Sequence, residues 1–231
     1  MSRPVARSAE PLVLVGSGGF GRETADLVRY INATQDDRWE LLGFLDDDPE
    51  RWGAAVAGTR VLVGLDRLAD LPEARVVVCT GHPNDFTSKK RIVRRLELPA
   101  ERYATLIHPT AVLPASCRVG EGTVMLAGVV ATTDVEIGAH VAVMPQATFT
   151  HDVRLDDFVT VGAGASLAGT VQVREGAYLG SGCLILENRV IGPWALVGMG
   201  AIVTRDVPGG EVWAGTPARF LRSVERLGAG L

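Results

Sequence analysis

The chain has 231 residues, 47% of them hydrophobic and 22% charged, a composition that can build packed cores and excludes a disordered polypeptide. Lys plus Arg number 23 against 27 Asp plus Glu, a formal charge of −4, so no basic surplus exists to neutralise a nucleic-acid backbone. No apolar run approaches a membrane span, and Leu12 to Val15 is far shorter than a signal-peptide core, which predicts a cytoplasmic protein with neither nucleic acid nor membrane as partner.

In chain order, Leu12 to Val15 predicts a short strand, Gly16-Ser17-Gly18-Gly19-Phe20-Gly21 a tight turn, and Arg22 to Ile31 a helix. Strand, G-x-G-x-x-G and helix together suit an anion such as a diphosphate, because glycines permit close approach and the N–H groups at the helix start are free. The same motif also serves as a plain strand-to-helix turn. A second strand, Glu40 to Leu45, ends in Asp46-Asp47-Asp48, where a carboxylate is placed to accept hydrogen bonds from a ribose or a base. A third apolar run, Val76 to Cys79, leads to Thr80-Gly81-His82, and Ser88 to Leu96 reads as a basic helix. These elements predict a small parallel sheet with flanking helices over residues 1–104. About a hundred residues is short for a full dinucleotide fold, which weighs against an NAD-linked oxidoreductase.

From Ile107 onward the chain repeats. Stepping by six gives Ile107, Leu113, Val119, Met125, Ala131, Ile137, Val143, Phe149, Leu155, Val161, Leu167, Val173, Leu179, Ile185, Ile191, Val197 and Val203, all apolar. Four residues after each, small or β-branched residues recur, from Thr123 to Cys183, with Arg189 breaking that second column. Six residues fit one short strand and one turn, and three units close a triangular coil, so residues 105–231 are predicted to stack as a parallel β-helix prism with a short C-terminal helix. The register runs without insertion from Leu113 to Val203. The apolar column does not by itself offset the entropy of ordering so much chain, which predicts an oligomer. Cys117 and Cys183 fall on the small-residue column and read as core fillers, and three cysteines without CxxC spacing predict reduced thiols.

Four histidines are available as bases near neutral pH: His82, His108, His140 and His151. His140, after Gly138-Ala139, reads as a solvated turn residue, and His108 as a hydrogen-bonding residue where the two parts meet. His82 lies near the glycine loop with no role decided. His151 by itself reads as a surface residue more readily than as a base. Separations of 32 and 11 between His108, His140 and His151 do not match coils of eighteen residues, so no metal is expected.

LVLVGSGGFGRETADLV, LLGFLDDDPE, YATLIHPTAVLPAS, ATFTHDVRLDDFVTVGAGASLAGTV and DVPGGEVWAGTPAR, in this order, resemble the sugar O- and N-acetyltransferases that include the bacillosamine N-acetyltransferase and sialic-acid O-acetyltransferase families. The resemblance runs from about residue 11 to 221. It implies a small N-terminal Rossmann-like parallel-sheet domain joined to a left-handed parallel β-helix of hexapeptide repeats, a homotrimer, and acetyl-CoA as co-substrate. It further implies His151 as general base with Asp152 raising its basicity. A nucleotide-linked amino sugar is then expected near Gly18, Gly19, Phe20, Asp46, Asp47 and Gly81, and CoA near Thr160, Gly169, Ser181, Met199 and Arg219. Phe20 and Thr160 stand where the amino-sugar branch carries His. The resemblance implies N-acetylation by direct attack on the thioester. O-acetylation of a sialic-acid-like sugar is a second reading, and a nucleotide-binding scaffold or regulatory protein a third.

Overall fold

The computed structural model describes residues 9–35 and 38–224. Strands β1 (Glu10–Val15), β2 (Trp39–Leu45), β3 (Ala55–Val56), β4 (Thr59–Val63) and β5 (Arg75–Val78) form one sheet in the order β3-β4-β2-β1-β5. β1 runs parallel to both β2 and β5, as expected for apolar strands separated by crossovers. The β3–β4 hairpin was not legible as strand: its arms are short, and the turn rests on Ala57 and Gly58 at positive φ.

Helix α1 (Gly19–Thr34) presents Ala25, Leu27, Val28 and Ile31 to a core shared with Leu12, Leu14, Phe44 and Val77. That same core continues into Leu106, Val124 and Leu126 of the second half, so the sheet layer and the prism share one apolar interior. Helix α2 (Ser88–Leu96) follows the β5 loop.

The second half is a left-handed parallel β-helix. From Leu106 to Ile185 each strand has two residues and pairs with the strand eighteen residues on, as in Glu136↔Arg154 and Thr148↔Ser166. From Met125 to Val203 every sixth residue is buried in the central column. The turns are equally regular: every sixth residue from Gly122 to Gly200 has positive φ, including His140, Asp152 and Phe158. A left-handed conformation costs a non-glycine residue about 1–2 kcal/mol, so the stacked hydrogen bonds of neighbouring coils must hold these turns. One such bond runs from Asp152 N–H to Thr133 O at 3.1 Å.

The prism's three faces differ in chemistry. The covered face, through Val124–Met125, Ala142–Val143, Thr160–Val161 and Tyr178–Leu179, carries the N-terminal layer. The charged face presents Arg118, Glu136 and Arg154 in a ladder of ion pairs. The open face presents Val112, Val130, Thr148, Ser166, Leu184 and Ile202, with Leu184 46% and Val112 55% exposed. Arg189 leaves the small-residue column to pair with Asp206 at 3.5 Å on the edge between open and charged faces, which accounts for the break in the pattern.

At the C-terminal end, Glu211–Ala214 continues the covered face and Arg219–Ser223 returns antiparallel to it. The last described element is a strand, no helix occurs over residues 105–224, and residues 225–231, the remaining place for the expected short C-terminal helix, lie outside the described residues. Among the described residues no helix is long and apolar enough to cross a membrane.

Candidate active site

A cavity of about 460 Å³ opens between the glycine loop and the ends of β2 and β5, lined by Gly18, Gly19, Phe20, Asp46, Asp47 and Gly81 among others. All six residues expected at the nucleotide therefore meet there. The glycines divide their work. Gly16 is at φ +97°, and a Cβ on Gly21 would lie 2.1 Å from Gly16 O, so this pair lets α1 pack on the turn. Gly18 and Gly19 instead face open space. Helix α1 starts at Gly18 with no side-chain cap and no acid in its first turn, leaving its N–H groups available to an anion.

Asp46 is committed within the chain. Its Oδ2 accepts from Ser17 N–H at 2.9 Å and Ser17 Oγ at 2.5 Å, and its Oδ1 from Asp48 N–H at 3.1 Å. Burial by itself would raise this carboxyl, but those hydrogen bonds and the nearby Arg51 guanidinium hold it below its ordinary value. Asp47 likewise accepts from Leu65 N–H at 3.0 Å and pairs with Arg95. Both carboxylates shape the loops around the cavity more than they offer free lone pairs to a ribose.

A second cavity, of about 140 Å³, continues past Phe20, Thr80 and Gly81 to Thr160, Tyr178 and Ser181 on the prism. Thr160 and Ser181, expected at CoA, thus lie where the two layers meet. Met199 is 78% exposed on the coil above Ser181. Arg219 is exposed on the terminal strand, away from both cavities.

His151 sits on the prism edge between the open and charged faces. Its Nδ1 is 2.9 Å from Asp152 Oδ2, and both side chains are more than half exposed. The left-handed turn at Asp152, φ +59°, lets adjacent residues aim at each other. Gly169, expected at CoA, packs on the His151 ring one coil up. Within one chain this edge lies across the prism from the covered face, so His151 and the glycine-loop cavity are not brought together.

The other histidines are also placed. His140 is only 6% exposed, with Tyr103 edge-on at 4.5 Å and Phe158 stacked at 5.2 Å. The solvated-turn expectation is corrected: docking of the N-terminal layer covers this turn, and burial together with the Lys89 charge pushes the imidazole down to about 4. His108 does mark the junction, through a ring stack on Tyr30 at 4.3 Å, while its Nδ1 bonds locally with Thr110. His82 lines the larger cavity. Cys79 and Cys183 are buried, and burial pushes both thiols up to about 12. Among the described residues no group of three or more His, Cys, Asp or Glu is arranged to hold a metal.

Lys89 went unrecognised in the sequence because it reads as one cation in a basic helix. The structure buries it to 3% exposure, with Nζ donating to His140 O at 3.0 Å and lying 5.5 Å from the Phe20 ring centroid. Lys90 pairs with Glu175 at 2.6 Å and lies over Trp194, so α2 grips the prism with two lysines.

The family model of the PglD N-terminal domain matches residues 11–96. Beyond it, the UDP-N-acetylbacillosamine N-acetyltransferase of Bacillus subtilis is 33% identical over 120 residues, 50% of this chain. That match spans 51% of the relative's own length. PerB from Caulobacter crescentus, solved with CoA and GDP-perosamine, superposes with a TM-score of 0.80 at 29% identity, covering 91% of this chain and 97% of that one. The acetyltransferase domain of PglB from Neisseria gonorrhoeae, solved with acetyl coenzyme A, gives 0.81 at 26% identity, covering 93% and 100%. The sheet layer and the prism thus superpose on these two proteins along nearly the whole chain.

Proposed function

We propose that the protein is an acetyl-CoA-dependent N-acetyltransferase acting on the amino group of a nucleotide-linked amino sugar. The observation that supports this reading most directly is the hydrogen-bonded His151–Asp152 pair on the edge of a prism whose N-terminal layer carries a glycine-loop cavity of about 460 Å³. Residues 1–104 hold the nucleotide sugar and residues 105–231 the acetyl donor. Asp152 accepts the proton-bearing Nδ1 of His151, which leaves Nε2 with a free lone pair. Nε2 removes a proton from the sugar amine as its nitrogen attacks the thioester carbonyl. The N–C bond forms, the C–S bond breaks, and the proton returns to the departing thiolate, giving N-acetyl sugar and CoA. Because the thioester is already activated, alignment of the two substrates supplies much of the rate.

The active unit is a homotrimer. Of the three prism faces, one is covered by the chain's own N-terminal layer and one is charged, whereas the open face leaves Val112, Leu184 and Leu186 in solvent. Closing three open faces around a threefold axis buries that surface. It also sets the His151 edge of one subunit against the Thr160–Ser181 edge of the next, which would join base and cavity across the interface. Acetyl-CoA and nucleotide sugars are both cytoplasmic metabolites, which favours a cytoplasmic setting.

Purified protein mixed with acetyl-CoA and UDP- or GDP-linked 4-amino sugars is expected to release free CoA thiol and a product heavier by one acetyl group. Absence of turnover with every amino sugar, but turnover with sialic acids, supports the O-acetyltransferase reading instead.

A further inference from the structure

The acids around the glycine-loop cavity are individually matched. Arg51 meets Asp46 at 3.8 Å and Asp48 at 3.1 Å, Arg95 meets Asp47, and Arg91 meets Asp85 at 2.7 Å. These arginines are therefore already engaged. Lys89 differs: it is buried, and among the described residues no carboxylate pairs with it.

The groups facing Lys89 carry no compensating charge. From the end of β5 comes the Cys79 thiol, neutral because burial pushes it up to about 12. From the prism comes the His140 carbonyl, whose own imidazole is neutral above about 4, with the Tyr103 phenol against that ring. From α1 comes the Phe20 ring. The neighbouring charges are held elsewhere: Asp157 accepts from Ala139 N–H at 2.7 Å, and Glu175 is paired with Lys90. A buried ammonium without a counter-ion is costly, and burial draws the Lys89 amine down to about 8.

Phe20 itself lines the cavity, with Gly18 and Gly19 facing open space there and Ser88, the residue before Lys89, in its wall. Thr80 Oγ1, buried without a partner, belongs to a residue that lines the same cavity. We propose that Lys89 is the counter-charge for the diphosphate of the nucleotide sugar, which lies against Gly18 and Gly19 at the start of α1 with the ammonium behind Phe20. The assignment rests on the nucleotide-sugar reading above. It makes Lys89 a positioning residue that acts through the field without touching the anion.

An anion at Gly18 favours the ammonium, so near pH 8 binding takes up protons, and affinity falls as pH rises past that point. Titration calorimetry of the full-length protein with UDP and with GDP, whose phosphates are fully ionised there, reads this directly in two buffers of different ionisation enthalpy. Net proton uptake is expected at pH 8, with Kd rising roughly fourfold between pH 7 and 8.5. Lys89→Met is expected to raise Kd for both nucleotides about tenfold at pH 7, to abolish the uptake, and to leave Kd for CoA unchanged.

Unchanged nucleotide affinity, or an effect confined to CoA and its own diphosphate, overturns the assignment. If the variant does not fold, absence of proton uptake in the wild-type protein overturns it equally. Failure of the wild-type protein to bind either nucleotide removes the nucleotide-sugar reading itself, a separate outcome from nucleotide binding without linkage.

Discussion

Gly169 lies directly over the imidazole of His151: a Cβ built on it would fall 2.4 Å from both Cε1 and Nε2 of the ring. The glycine expected to touch the acyl donor is therefore also what leaves His151 room to stand beside Asp152.

Gly169→Ala is accordingly expected to push the ring aside. The obstructed atoms belong to an exposed side chain, so the fold absorbs the methyl group and the melting temperature changes little. Misplacing a base by about 1 Å costs up to a hundredfold in rate, so kcat at saturating acetyl-CoA should fall ten- to a hundredfold. Steady-state kinetics alongside a thermal melt separates this from global damage, and an unchanged kcat would count against His151 as the base.

His151→Ala is expected to lower kcat at least a hundredfold, roughly the loss of general-base catalysis. Because base and cavity of one chain lie on opposite sides of the prism, two defective chains should rescue one another. Co-expressing His151→Ala with Gly18→Glu, each inactive alone, should restore about a quarter of wild-type turnover, since one interface in four pairs an intact base with an intact cavity. No rescue in a verified mixed oligomer would mean that each chain completes its own site.

The open face gives a third expectation. Leu184→Glu places a charge where apolar surface should meet its copies, and light scattering should show monomers in place of trimers. Activity should be lost with the assembly although circular dichroism shows the prism intact. A trimer that survives this change would place the interface elsewhere.

The fourth concerns acid. His140 has its folded pKa depressed from 6.5 to about 4, so the stability it contributes is complete above pH 6.5 and is lost as pH falls toward 4. The loss amounts to about 3 kcal/mol across that window. Asp46 and Asp85, both held below their ordinary values, lose their contributions only at still lower pH. Urea midpoints at pH 7, 6 and 5 should therefore decline in the wild-type protein and stay nearly level in His140→Gln. Parallel declines in both would assign the acid sensitivity to other groups.

The prism could be read in advance because its instructions are local and repeated. Each apolar step residue meets its equivalents eighteen residues away, so a column in space is also a period in the sequence, and Met125 through Val203 obey it without exception. The glycine loop was legible for a similar reason, since Gly16 and Gly21 answer a steric demand within six residues. His151 and Asp152 are adjacent in the chain, and their hydrogen bond needs only the turn between them.

What the amino-acid order determined by itself, then, is the ladder, the turn motifs and the adjacency of His151 and Asp152, all set by contacts at short or periodic separations. Tertiary structure alone decided that His140 is buried, that Lys89 is enclosed without a carboxylate, and that the His151 edge faces away from its own cavity. Those outcomes depend on how the N-terminal layer docks on one prism face. The bond from Lys89 to His140 spans 51 residues, and no repeat in the chain encodes that distance.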